Sequence, residues 1–233
     1  MITRHRRKYH SSTLLNGLVL WLPLNEASGD AIDISGNGRN FTQSGTVSAG
    51  AGKISGARGP FSVSNYFSRT DASIDPISSW SFNCWFFLTT RTATVNLFGK
   101  DNPTVAGNRQ LILQAYNAGS GQANAGLFKA TDVTTLVQMA PASTGSWYNF
   151  NAYHDAPAKT LGIRMNGGGW TTATYTGSLQ AATANPVTVG NRPGAGADAP
   201  VTGLLDEVGW WNRVLTAAEF AALYNSGSGI GKP

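Results

Sequence analysis

A single cysteine, Cys84, in 233 residues leaves no pair for a disulfide within the chain, which sets it apart from small secreted domains that depend on such bridges. Glutamate occurs only at Glu26, Glu207 and Glu219, and charged residues make up 12% of the chain against a usual ~25%. No stretch reaches the ~20 consecutive apolar residues that a transmembrane helix needs. There is no G-x-S-x-G elbow, Walker loop, dinucleotide fingerprint or zinc-ligand spacing, so the commonest signatures of hydrolase, nucleotide and zinc chemistry are missing. His154-Asp155 closes an apolar run and reads as a turn rather than as two members of a triad.

Gly, Ser, Thr, Asn and Ala fill the gaps between short apolar runs, the make-up of a surface solvated by hydroxyls and amides. With neither linker nor internal repeat, the length suits one all-β domain with a sizeable core. Strands are predicted over Gly17 to Leu24, Phe61 to Phe67, Ser81 to Thr89, Val95 to Gly99, Gln110 to Tyr116, Ala125 to Lys129, Trp147 to His154, Thr160 to Asn166, Trp170 to Thr176, Val187 to Gly190 and Gly203 to Trp211. Their turn signals suggest two packed antiparallel sheets. Thr160 to Thr176 is the clearest hairpin, because Asn166-Gly167-Gly168-Gly169 supplies the positive φ that a tight turn demands. Cys84 shares a side with Phe82, Phe86 and Leu88 and reads as a small buried hydrophobe.

Charge is uneven. Arg4, Arg6, Arg7 and Lys8 fall within the first ten residues, and no acid precedes Glu26. Setting those four aside leaves 13 basic against 12 acidic residues, so the basic character belongs to an arm, residues 1–13, ahead of a near-neutral domain, residues 14–233. The basic start and the apolar run from Leu14 to Leu24 have the outline of a signal peptide, but Asn16, Gly17 and Pro23 interrupt the run and no A-x-A site follows. The arm is expected to anchor the protein on another subunit, with Arg4, Arg6, Arg7 and Lys8 meeting carboxylates. A nucleic acid partner is disfavoured by the arm's shortness and the neutral body.

The tail, VTGLLDEVGWWNRVLTAAEFAALY from Val201 to Tyr224, joins an alternating strand to a short helix. Thr216 and Glu219 spell a capping box, Phe220, Leu223 and Tyr224 give an apolar face, and Gly227 is the stop. Gly203, Leu205, Asp206, Glu207, Val208, Asn212, Arg213, Leu215, Thr216 and Glu219 together resemble the closing segment of the laminin-G-like, concanavalin A-like jelly rolls. The opening resembles that family too, through Pro23, Leu24, Asn25, Glu26, Ser28 and Gly29, then Asp33, Ser35, Gly36, Asn37 and Gly38. Between them, GKISGARGPFSV (Gly52 to Val63), SFNCWFFL (Ser81 to Leu88) and GSWYNFNAYHD (Gly145 to Asp155) are similar to family landmarks in the right order, over roughly residues 17 to 226.

The resemblance implies an all-β concanavalin A-like jelly-roll sandwich with one short C-terminal helix. It also implies calcium as a candidate cofactor, at Asp33, Asn37 and Asp206, since loop oxygens suit that ion. The alternative for Asp33 is a tight turn in which its carboxylate caps backbone amides. For Asp206 it is a buried backbone partner or Arg213. Glucanases of this fold carry E-x-D-x-(x)-E on one strand. None of the three glutamates begins such a run, and Asp206 and Glu207, adjacent on a strand, should face opposite ways.

The expected function is therefore non-catalytic: a surface-display or adhesion module, most simply an accessory structural protein of a bacteriophage capsid or tail that contacts surface glycans. Its place would be the virion surface, its partners other virion subunits and no membrane. The alternative is a secreted or soluble calcium-assisted lectin. Tyr153, Trp170 and Trp211 are the candidate carbohydrate platforms, while Trp85 and Trp147 read as structural. The loops Gly119 to Gly126 and Gly190 to Ala197 are candidates for a binding edge.

Overall fold

The computed structural model describes residues 13–101, 109–129, 134–181, 184–192 and 199–233. Among them the chain opens with β1 (Leu18–Leu22), β2 (Thr42–Ser44), β3 (Ala49–Ala51), β4 (Gly56–Arg58) and β5 (Tyr66–Arg69). The long strands β6 (Trp80–Leu88), β7 (Val95–Asp101), β8 (Arg109–Asn117), β9 (Gln122–Phe128) and β10 (Thr134–Met139) follow. After these come β11 (Trp147–Asp155), β12 (Thr160–Met165), β13 (Thr171–Thr174), β14 (Val187–Val189) and β15 (Gly203–Trp211), then the helix α1 (Ala217–Tyr224). One sheet runs β13-β12-β11-β6-β15-β4-β3 with β1 also on β15, and the other runs β10-β9-β8-β7-β14-β5-β2. This is the all-β two-sheet sandwich with a single short helix that the sequence implies.

Alternation explains the two faces of the long strands. Phe82, Cys84, Phe86 and Leu88 of β6 point between the sheets with Phe98, Phe150 and Leu113, all fully buried. Trp210 stacks between Trp80 (4.7 Å) and Phe98 (5.3 Å), which locks β15 and β6 of one sheet against β7 of the other. The opposite face of the first sheet is also covered, because Leu14, Leu18, Trp21, Trp211, Leu215, Phe220 and Leu223 form a second apolar cluster beneath α1.

Several elements depart from the sequence expectation. Strands β2, β3 and β4 are three residues each and lack an alternating apolar pattern, so only their pairing defines them. The predicted strand at Phe61 to Phe67 begins later, because Ser62 and Asn65 exchange backbone hydrogen bonds and close a turn first. The Asn166-Gly167 turn behaves as expected, with φ of 50° and 67°.

The largest departure is in β15. Glu207 adopts a left-handed φ of 51°, and the register with β6 slips between Asp206 and Gly209. Two residues of β15 then oppose one of β6, a β-bulge that shifts the phase of the side chains. Asp206 and Glu207 consequently share the outer face, which corrects the expectation from adjacency alone. Glu207 accepts a hydrogen bond from the Trp21 indole, and Asp206 accepts one from the backbone of Ile54 (2.8 Å). With side chains 0% and 1% exposed, neither carboxyl meets solvent, so the pair offers a substrate no access.

Burial pushes the Asp206 carboxyl up to about 7 and the Glu207 carboxyl up to about 8, the charge of Asp206 adding to the second. The folded protein therefore keeps protons that the unfolded chain has already released above about pH 4.5, so this contribution to stability is present in acid and lost as pH rises through about 7 to 8. Glu219 acts in the opposite sense: its hydrogen bond to Arg213 holds it at about 2, and that stabilisation is lost as pH falls. The melting temperature should therefore peak at mildly acidic pH and decline toward about pH 8. Glu207→Gln should flatten the alkaline decline in a melting series across pH, and a wild-type curve already flat there would mean that the buried acids are ionised.

Candidate functional site

Tyr153 on β11 lies directly opposite Gly162 on β12, and the missing side chain at 162 lets the phenol ring lie across the strand. A Cβ at Gly162 would fall 2.3 Å from the Tyr153 ring. On the same outer face Trp170, just past the glycine turn, meets Tyr153 edge-on with centroids 4.8 Å apart and an interplanar angle of 82°. Trp170 meets Phe220 of α1 in the same manner at 4.9 Å. Phe220 is delivered there because the capping box forms as its sequence spells it: Thr216 Oγ1 accepts from the backbone of Glu219, and Glu219 accepts from that of Thr216. The helix stops at Asn225, which takes the left-handed conformation ahead of Gly227.

Arg164 braces this aromatic corner from below. Its guanidinium lies 4.8 Å from the Trp170 ring and 5.1 Å from Phe220, while Nε donates to Asn151 Oδ1 at 3.0 Å. Asn151 and Asn149 both donate to Asn83 Oδ1 at 2.9 Å, so a row of buried amides crosses β11 and β6 under the helix. Among the described residues Arg164 has no carboxylate partner, and its Nη2 is buried without a hydrogen bond. Burial lowers its pKa from the ordinary arginine value.

These rings open onto a surface groove of about 250 Å³. Tyr153, Trp170 and Phe220 form its aromatic wall, Val214, Leu215 and Ala217 its aliphatic side, and among the described residues Asp155 supplies its carboxylate. Burial raises the Tyr153 phenol and the charge of Asp155 raises it further, so the hydroxyl stays protonated and can donate beside a carboxylate that accepts. The groove thus combines apolar ring faces with one donor and one acceptor. That suits an amphipathic, hydroxylated ligand.

The sequence-predicted residues fare differently. Tyr153 and Trp170 come together in this groove, both half-buried. Trp211 does not join them as a platform: it is 0% exposed, donates to the Leu14 carbonyl at 2.7 Å and packs edge-on against Trp21, because the phase of β15 turns it under α1. Trp85 is likewise buried, stacked on Tyr224. Arg4, Arg6, Arg7 and Lys8 lie outside the described residues, as do residues 193–198 of the Gly190 to Ala197 loop. In the Gly119 to Gly126 loop, Asn117 Oδ1 accepts from Gly119 and Ser120 and closes a turn. Asp155, Arg164 and the groove-facing role of Phe220 escaped sequence reasoning. A tyrosine opposite a glycine two residues before the Asp155 turn was the one available signal.

The residues suggested for calcium are arranged otherwise. Asp33 Oδ1 accepts from the backbones of Trp21 (3.0 Å) and Ser35 (2.8 Å), and Oδ2 from Ser35 Oγ (2.8 Å) and the Arg39 backbone (2.9 Å). These donors take the roughly four acceptor positions of a carboxylate. Burial raises Asp33, but the hydrogen bonds outweigh it and hold it below the ordinary value. Asn37 turns its amide nitrogen toward the carbonyls of Leu18 and Val19 (3.0 and 3.1 Å), and Asp206 is sealed against the loop holding Ile54. Among the described residues no group of three or more His, Cys, Asp or Glu assembles. A calcium ion shared by Asp33, Asn37 and Asp206 does not fit this arrangement.

Two packed antiparallel sheets, one of them covered on its outer face by a short helix, define a jelly-roll sandwich. The chain belongs to the concanavalin A-like lectin/glucanases superfamily, whose family model matches residues 61–221. Solved structures share the fold. The binding domain of Paraclostridial Mosquitocidal Protein 1 superposes with a TM-score of 0.70 at 14% identity, over 92% of this chain and 53% of that one. Domain 4 of AbnA, a GH43 extracellular arabinanase from Geobacillus stearothermophilus, in complex with arabinotriose, gives 0.68 at 18% identity over 91% of this chain and 98% of that one. The binding domain of botulinum neurotoxin DC in complex with SialylT gives 0.67 at 10% identity, over 92% and 52%. This chain thus spans about half the length of the toxin binding domains it matches. No curated protein sequence matches it. No helix of the described residues is long and apolar enough to cross a membrane.

Gly162→Ala should force Tyr153 out of its place and cost about 1–3 kcal/mol, the usual range for overpacking. Urea unfolding monitored by tryptophan fluorescence measures the cost. A neutral substitution would mean that the phenol moves freely.

Proposed function

We propose that this protein is a non-catalytic glycan-binding module, and that the groove between Tyr153, Trp170 and Phe220 is where the glycan binds. The observation that carries the reading is the pairing of near-perpendicular aromatic rings with Asp155 in one groove. Sugar rings present C–H faces that pack on aromatic surfaces and hydroxyls that pair with a phenol and a carboxylate. Support also comes from the fold neighbours, whose names describe binding domains and complexes with arabinotriose and SialylT. The sealed carboxyls of Asp206 and Glu207 favour a binding role over hydrolysis, which needs two accessible acids flanking the bond.

The finer part of the proposal concerns display. Residues 1–13 anchor the domain to a larger assembly, in the simplest case other subunits of a bacteriophage particle, and the jelly roll presents its groove outward. The concentration of four of 17 basic residues in that arm favours this reading. So does the fixed root of the arm: Arg213 donates to the carbonyls of Thr13 and Asn16, both at 2.8 Å, and Leu14 is buried in the outer cluster. A secreted or soluble lectin is the alternative if the arm has no partner.

Two experiments test the two parts. Trp170→Ala should weaken glycan binding on an array and in titration at least about tenfold, equivalent to roughly 1.4 kcal/mol, with a cooperative melt retained. Undiminished binding would place the site elsewhere. Removing residues 1–12 should abolish incorporation into particles while leaving the melt and glycan binding intact; incorporation that survives would leave the arm without its proposed role.

A further inference from the structure

The bulge that turns both Asp206 and Glu207 to the outer face puts them beneath two covers of unequal strength. One is the loop of residues 52–55. Its Ile54 N–H donates to Asp206 Oδ2 at 2.8 Å, and the Lys53 backbone donates to the same carboxyl. Such bonds strengthen when the acceptor carries charge. The loop is held at its far end too, where Gly56 donates to Asn25 Oδ1 at 2.6 Å.

The other cover is residues 229–233, which leave the end of α1. A Cβ at Gly229 would fall 2.6 Å from Ile54 Cδ1 and 2.9 Å from Trp85 Nε1, and one at Gly231 would fall 3.6 Å from Glu207 Oε1. Bare backbone therefore lies against the acids. Gly229 is tied to the helix end, its N–H donating to the Tyr224 carbonyl at 3.1 Å and its own carbonyl accepting from Asn225 at 2.9 Å. Beyond it, among the described residues, no hydrogen bond or ion pair holds residues 230–233 to the sheet, and Ile230 contributes only apolar contact with the outer cluster.

The acids themselves are poorly prepared for charge. Asp206 Oδ1 is buried with no hydrogen-bond partner, and the Glu207 side chain has the neutral Trp21 indole of β1. On β6, Asn83 is spent on the Glu207 carbonyl, and the Cys84 thiol, on the inter-sheet face, is held protonated by burial. Lys53 places its ammonium over the Trp85 ring at 5.0 Å, Arg58 of β4 turns instead to Glu26 and Phe67, and Lys232 is exposed. The charge that Glu207 feels is that of Asp206. A buried charge without a partner is costly, so the pair is tolerated when protonated and driven toward water when ionised. The side without hydrogen bonds gives way first.

We propose that residues 229–233 are a strap that closes over β15 only while Asp206 and Glu207 are uncharged, and that lifts when they lose their protons, uncovering Trp85 and both carboxylates. The loop of residues 52–55 stays in place. So does the start of α1, held by its capping box and by Arg213, which leaves the groove at Tyr153 and Trp170 intact. Burial raises the two carboxyls to about 7 and about 8, so the closed strap is favoured in mild acid and lost as pH rises through that range. The device thus presents a different outer surface on either side of neutrality.

The test is ¹⁵N relaxation on the full chain, from about pH 6 upward until the side-chain carboxyl ¹³C signals of both acids have titrated. Order parameters of Gly229 to Lys232 should fall from the rigid range near 0.85 to below about 0.6, while Ile54 and Phe220 stay rigid throughout. Trp85 emission should shift to the red over the same interval as its indole meets water. In the double variant Asp206→Asn, Glu207→Gln the strap should remain ordered across the series, and loss of order there equal to that of the wild type would overturn the proposal. If the variant fails to fold, the wild type decides alone. A strap that stays ordered while both carboxyls titrate, one already mobile at the acid end, carboxyls ionised beneath an ordered strap at the acid end, or loss of order throughout the chain at once would each overturn it.

Discussion

The left-handed turn of Glu207 inside β15 is the constraint on which the rest of the structure depends. One edge of β15 pairs with β6 on both sides of the bulge, but the other edge changes partner, from β4 at Leu205 to β1 from Val208 onward. A regular strand would carry its side chains through in one phase. The bulge resets the phase, so Leu205, Val208 and Trp210 point into the inter-sheet core while Gly209 and Trp211 point outward. A non-glycine residue at positive φ costs on the order of 1–3 kcal/mol and persists only where its surroundings over-determine it. Asn83 supplies part of that determination by donating to the Glu207 carbonyl at 3.0 Å, and the Trp21 indole supplies more by donating to its side chain.

From that phase shift follows the second apolar layer. Trp211 under α1 and Trp21 beside it create an outer surface on which Leu14, Leu215, Phe220 and Leu223 are buried, so this sheet is covered on both faces. The helix is too short to be stable alone, since isolated helices under about 12–15 residues are marginal in water. It is held by this burial, by the capping box and by Arg213, which reaches Glu219 on one side and the carbonyls of Thr13 and Asn16 on the other. The start of the domain and its closing helix are thereby one unit. A surface ion pair would contribute little, but Arg213 and Glu219 are mostly buried and hydrogen-bonded to further groups.

Much of this was legible in the chain. The capping box, the Asn166-Gly167 turn and the alternation of SFNCWFFL each depend on residues close in sequence, where local stereochemistry decides the outcome. The family resemblance identified the sandwich, and aromatic residues flanking the β12 hairpin led to Tyr153 and Trp170. What escaped was set by tertiary context. Nothing local distinguishes Glu207 as a left-handed residue, so adjacency predicted the wrong face for one of the two acids. Trp211 looked as available as Trp170 until the shifted phase turned it inward. Asp33 and Asn37 carry the oxygens a cation would use, yet those of Asp33 are consumed by the turn they build. Strands such as Ala49–Ala51 and Gly56–Arg58 contain too few apolar residues to announce themselves and exist because a neighbour offers an edge.

The same layering explains why a binding groove can sit on a closed sandwich. The inter-sheet core uses the inward residues of every long strand, which leaves the outer face of β11, β12 and β13 free to carry side chains unrelated to packing between the sheets. Gly162 is the clearest case: it removes a side chain from that face so that Tyr153 can occupy the space. Arg164 is a costly one, because a desolvated guanidinium that has no carboxylate partner among the described residues is unfavourable unless its stacking and its bond to Asn151 serve some end. Its effect is to hold Trp170 against Phe220 and so to join the hairpin to the helix, the two elements that form the walls of the groove. A lysine there would keep the charge but lose the planar contact with both rings. The shape of the groove therefore depends on a buried cation, Arg164, that lies outside the packing between the two sheets.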